Sequence, residues 1–112
     1  MIVSATKILV IEDDLYTREM IEQVLTQDST LGQLQIEVIQ AGDGEEGVEL
    51  FRRHRPSLVV TDLLMPKLDG FLAIEQIRDE PAGKGCPILV ISGVYRDPVI
   101  LDKLKQEYGV HV

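Results

Sequence analysis

Three short, nearly continuous apolar runs punctuate the chain, and between them apolar residues recur at helical spacing. The runs are Lys7-Ile8-Leu9-Val10-Ile11, Ser57-Leu58-Val59-Val60-Thr61 and Ile88-Leu89-Val90-Ile91. Runs of this length, bounded by turn residues, read as strands buried on both faces of a parallel sheet. A fourth segment differs: Leu34, Ile36 and Val38 alternate with polar residues, the pattern of a half-exposed edge strand.

The intervening segments carry the helical period. From Leu15 to Thr26, Tyr16, Met20, Ile21, Val24 and Leu25 are spaced for one helix. Arg18, Glu19, Glu22 and Gln23 lie between them, Asp14 is placed as N-cap, and Gln27 to Thr30 with Gly32 ends the helix. Asp43 caps a second helix from Gly44 to His54. Glu45 and Glu46 at its start and Arg52, Arg53 and Arg55 in its last turn suit the helix dipole, and Pro56 stops it. Asp69 caps a third helix through Phe71, Ile74 and Ile77, ended by Pro81. After Asp97-Pro98, the positions Val99, Ile100, Leu104 and Tyr108 mark a fourth, with Gly109 as its C-terminal stop. Val110-His111-Val112 reads as the first step of a fifth strand. The order β-α-β-α-β-α-β-α predicts a parallel sheet with right-handed crossovers.

Composition narrows the function. At 112 residues the chain is expected to form one domain with a sizeable core. A formal charge of −8 argues against nucleic acid and against an anionic membrane, both of which require a basic surface. The single cysteine, Cys86, has no intramolecular partner and no metal-ligand spacing around it. The first strand begins almost at Met1, which leaves no room for a signal peptide, and no apolar run reaches the roughly 20 residues that span a bilayer. A cytoplasmic location is expected.

The candidate chemistry sits at the strand ends. The first run ends in Glu12-Asp13-Asp14 and the second in Asp62. Ligands of open α/β sheets gather beyond the carboxyl ends of the strands, so Glu12, Asp13 and Asp62 are expected to converge. Carboxylates at ~4 Å repel by about 1 to 4 kcal/mol per pair, depending on the local dielectric. A divalent cation relieves that repulsion, and an all-oxygen site suits Mg²⁺. An aspartate near its reference pKa is ionised at neutral pH and can act as a nucleophile. Asp14 reads as a cap and not as a ligand, and His54 and His111 as structural or solvated residues.

These residues resemble a known family, the receiver domains of bacterial response regulators in two-component signalling. The matching pieces are Lys7 to Asp14, Ala41-Gly42-Asp43-Gly44-Glu45-Glu46, Val60-Thr61-Asp62-Leu63-Leu64-Met65-Pro66 through Asp69-Gly70, and Ile91-Ser92-Gly93, in the family's order and spacing. The resemblance implies a flavodoxin-like, doubly wound parallel sheet in the order 2-1-3-4-5, an order for which a chemotaxis receiver is a standard example. It implies Asp62 as phosphoacceptor, taking a phosphoryl group from a sensor histidine kinase or phosphotransfer protein. Glu12 and Asp13 would hold Mg²⁺ with Asp62 and the backbone carbonyl of Leu64, and Ser92 would hydrogen-bond the phosphoryl group. The protein would then be a phosphorylation switch and not a metabolic enzyme. An output domain or a second copy would be a further partner.

One departure from the family is large. The family's fifth-strand lysine would fall just beyond Val112, the fifth strand is barely begun, and the fifth helix is absent. Lys67 is the only lysine expected near the pocket, and nothing marks it as a substitute. Residues 1–112 are therefore expected to be a C-terminally incomplete receiver, either cut from a longer chain or completed by a partner, with the fourth strand left as an unpaired edge. Leu64 and Val94 occupy positions that in the family influence water attack on the acyl phosphate. Both are apolar, so slow self-dephosphorylation is expected. The rival reading is a degenerate receiver used as a phosphorylation-independent interaction module. A Mg²⁺-dependent aspartyl phosphatase is disfavoured because Leu64 stands where its general-acid aspartate would be.

Overall fold

The computed structural model describes residues 5–27, 35–63, 65, 69–91 and 97–112. Along the chain these form β1 (Thr6–Ile11), α1 (Leu15–Gln27), β2 (Ile36–Ala41), α2 (Gly44–His54), β3 (Leu58–Thr61), α3 (Gly70–Asp79), a 3-10 turn (Pro81–Gly83), β4 (Ile88–Val90) and α4 (Pro98–Tyr108). The strands form one sheet in the order β2-β1-β3-β4, every pairing parallel. Parallel neighbours cannot be joined by hairpins, so each connection carries a helix back across the sheet. The parallel sheet is the one expected from the alternation of runs, and its strand order is the flavodoxin-like, doubly wound one that the family resemblance implies.

Strand periodicity divides the core. On one face Leu9 and Ile11 of β1, Val59 of β3 and Ile88 and Val90 of β4 pack with Val48 and Phe51 of α2, Ala73, Ile74 and Ile77 of α3, and Leu104 of α4. On the other face Ile8, Val10 and Val60 form a smaller cluster beneath Ile21 and Leu25 of α1. Both faces of the central strands are buried, which is why those strands read as unbroken apolar runs.

The helix caps follow the sequence closely. The carboxylates of Asp43, Asp69 and Asp97 accept backbone N–H bonds from Glu46, Leu72 and Val99. Gly109 ends α4 in the left-handed conformation at φ 63°, where a side chain would be strained.

Three expectations need correction. Met20 of α1, whose place in the helical spacing suggests core packing, is exposed, as are Tyr16 and Val24, while Ile21 and Leu25 pack on the sheet. A helix lying flat on a sheet buries a single stripe, and five apolar residues exceed what this one can bury. Arg55 lies past the end of α2 as its left-handed C-cap, φ 47°, and not in the last turn. The edge of β4 is not wholly unpaired either. His111 bridges to it in parallel, donating to the Ile88 carbonyl (2.8 Å) and accepting from the Val90 N–H (2.7 Å). The fifth strand does begin there, and its first rung satisfies part of that edge.

Arg78 of α3 closes the C-terminal part of the fold. Its guanidinium donates to the carbonyls of Tyr108 (2.7 Å), Gly83 (2.6 Å) and Cys86 (2.6 Å). One side chain thus ties the end of α4 to the approach to β4.

Candidate functional site

β1 and β3 are adjacent and in register, Ile11 opposite Thr61, so the residues that follow them emerge side by side at the carboxyl edge of the sheet. Two backbone bonds continue the ladder into the site: the Asp62 N–H donates to the Ile11 carbonyl (3.1 Å) and the Glu12 N–H to the Ala41 carbonyl (3.0 Å). Glu12, Asp13 and Asp62 are brought together as the sequence predicts, each with a carboxylate oxygen lying within 4.8 Å of the others.

The three carboxylates differ in surroundings. Glu12 is buried at 5% exposure, Asp62 is half-buried and Asp13 is exposed. Glu12 Oε1 accepts from the Asp14 N–H (3.2 Å), and Asp62 Oδ1 from the Leu63 N–H (2.7 Å). Burial pushes the Glu12 carboxyl from 4.5 up to about 7. The Asp14 N–H opposes that rise, while the neighbouring Asp62 and Asp13 carboxyls add to it. Among the described residues, no lysine or arginine forms an ion pair with any of the three acids. A compact all-oxygen donor set, crowded and uncompensated in charge, fits a hard divalent cation such as Mg²⁺. The positions of Leu64, Lys67, Ser92 and Val94 lie outside the described residues.

Three residues to which the sequence reading gave no role shape this site. Gly70, the first residue of α3, donates its N–H to the Leu63 carbonyl (2.9 Å). A Cβ there would collide with the Asp62 carbonyl oxygen and lie 2.6 Å from the Leu63 Cα. Only glycine lets the start of α3 back onto the end of β3, and the Asp69-Gly70 pair holds the signal, though spacing alone does not say what it is for. Arg18 reaches back from α1: Nη1 donates to the Glu12 carbonyl (2.9 Å) and Nε to Gln40 Oε1 of β2 (3.1 Å). In the sequence Arg18 is one more polar residue between apolar helix positions, and Gln40 one more polar residue of an edge strand. Nothing local marks either.

The sequence profile of the response regulator receiver domain matches residues 8–110. The chain is 41% identical over 88 residues to a probable transcriptional regulator, ycf27, of Porphyridium aerugineum, a match covering 79% of this chain and 33% of the relative. It is 37% identical over 105 residues to a protein-glutamate methylesterase/protein-glutamine glutaminase of Lawsonia intracellularis, covering 93% of this chain and 27% of the relative. The chain thus spans about a third or less of these curated relatives. Among solved structures it superimposes on the chemotaxis protein CheY4 of Vibrio cholerae with a TM-score of 0.81 at 24% identity, over 96% of this chain and 83% of that one. That last likeness supports the fold, and the profile match over nearly the whole chain fixes the family: the protein belongs to the response regulator receiver domains, the signalling switches of two-component systems.

Proposed function

We propose that the protein accepts a phosphoryl group on Asp62 from the phosphohistidine of a sensor histidine kinase or phosphotransfer protein, in a Mg²⁺-dependent reaction, and acts as a phosphorylation switch. The observation that carries this reading is the convergence of Glu12, Asp13 and Asp62 at the ends of two adjacent strands of a receiver fold. In the reaction an Asp62 carboxylate oxygen attacks phosphorus. A P–O bond forms, the P–N bond of the donor breaks, and the donor imidazole leaves with the electron pair and is protonated.

Asp62 Oδ1 is held by the Leu63 N–H, which orients the carboxylate and directs Oδ2 as the attacking atom. Glu12, Asp13, Asp62 and the Leu64 carbonyl would hold Mg²⁺. Once bound, the ion neutralises charge on the carboxylates and on the phosphoryl oxygens. Ser92 would hydrogen-bond the phosphoryl group. By the family's spacing, the apolar Leu64 and Val94 would offer water no hydrogen-bond partner at the acyl phosphate, which would favour a long-lived modification. Residues 1–112 form the receiver module, which in a longer protein would pass its state to an output domain. The names and greater lengths of the regulator and methylesterase relatives support that arrangement. A cytoplasmic site of action follows from a kinase donor.

Intact mass after incubation with acetyl phosphate, with and without Mg²⁺ and beside Asp62→Asn, tests the reading. A phosphoryl adduct that needs Mg²⁺ and disappears in the variant is expected. Absence of both Mg²⁺ binding and adduct would leave a module that uses the fold for contact alone.

A further inference from the structure

We infer that Arg18 is a positioning residue for the acidic site, setting the Glu12–Asp13 pair for a divalent cation through the Glu12 main chain; this rests on the cation reading above. Arg18 lies in the first turn of α1 and reaches the Glu12 main chain, yet its donors go to none of the three site carboxylates. Nη1 goes to the Glu12 carbonyl (2.9 Å) and Nε to the Gln40 side-chain amide oxygen (3.1 Å).

That choice of partners has a chemical consequence. A guanidinium paired with a carboxylate would compete with a cation for the same oxygens. One bound to a carbonyl and an amide leaves them open. Glu12 is then held through both of its flanking peptide groups, its N–H on the Ala41 carbonyl of β2 and its C=O on Arg18 of α1. Its side chain is held separately by the Asp14 N–H. Gln40, half-buried in β2, fixes the plane of the guanidinium, so the acid pair is braced against both β2 and α1.

The sign of one measurement separates positioning from charge. If Arg18 mattered only as a positive charge near a cation site, removing it would tighten cation binding, and the gain would fade with salt. Positioning requires the opposite. Mg²⁺ binding by calorimetry, with Mn²⁺ as a spectroscopic probe, is compared for the 112-residue chain, Arg18→Met, Arg18→Lys and Gln40→Leu, alongside thermal unfolding in EDTA. Arg18→Met is expected to weaken binding about 10- to 100-fold, as for other groups that orient metal ligands. Arg18→Lys, which keeps the charge but not the two-pronged geometry, should recover only part of this. Gln40→Leu should fall between Arg18→Lys and the unaltered chain.

Unchanged or tighter binding in Arg18→Met overturns the inference. So does a variant set that only lowers the metal-free melting temperature. If Arg18→Met does not fold, Gln40→Leu decides, and affinity within twofold of the unaltered chain overturns the inference. Failure of the unaltered chain to bind either ion overturns the cation reading itself, and the positioning role with it.

Discussion

Asp14, Asp43, Asp69 and Asp97 stand at the starts of helices and accept hydrogen bonds from the turn that follows; Glu12, Asp13 and Asp62 stand past the ends of strands and face one another. The functional group is the same in both sets, and its environment is opposite. Two residues separate the extremes. Asp14 is exposed, and the Thr17 hydroxyl and N–H hold its carboxyl below the usual range, whereas burial and neighbouring acids push the Glu12 carboxyl up to about 7. A carboxylate at a helix start meets N–H donors that no other group satisfies, so it stabilises the fold. One at a strand end in this sheet meets other carboxylates, and a cation at the proposed site would relieve the repulsion between them. Acids in the first set serve folding. Those in the second work against it.

The two sets touch at Gly70, and the sharpest way to break the comparison is there. Gly70→Ala drives a methyl group into the Asp62 backbone and is expected to cost about 3 kcal/mol in chemical denaturation, the upper end of the usual overpacking range. It should disturb the cap and the site together. Asp69→Ala isolates the cap: a loss of about 1 kcal/mol is expected, with Mg²⁺ affinity in the same titration left intact. Asp13→Asn isolates the other set, raising metal-free stability slightly while weakening Mg²⁺ binding, so that the stability difference between the proteins reverses once the ion is added.

The pH profile gives the smallest and most specific contrast. Glu12 binds its proton more tightly folded than unfolded, so its contribution is fully present below about 4.5 and is lost as pH rises through about 7. Asp14 behaves inversely, its contribution present above 3.8 and lost as pH falls. Thermal unfolding in EDTA across this range should therefore show two opposing trends. Glu12→Gln should flatten the upper one alone and Asp14→Asn the lower.

How much of this was legible follows from how far along the chain each cause lies. Asp43, Asp69, Asp97 and Gly109 could be read as caps because their partners are two to five residues away. The acid trio could be read because strand ends in a doubly wound sheet share one edge, so a topological rule stood in for the missing distances. Arg18 could not, since its partners are the end of one strand and the side chain of another, 22 residues along the chain. The buried face of α1 is not legible for a related reason: periodicity gives a stripe, but not the width the sheet will cover. Tyr16 and Val24 lie beyond that width.

The carbonyls gathered by Arg78, those of Tyr108 and Gly109 among them, make α4 a lever with its fulcrum at the C-terminal end. Leu104 is its one buried residue, while Val99 near its start is exposed. Thermal motion of such a helix grows with distance from its anchor. Amide exchange along α4 should therefore run as a gradient, slowest near Tyr108 and fastest near Val99, and Arg78→Ala should level it.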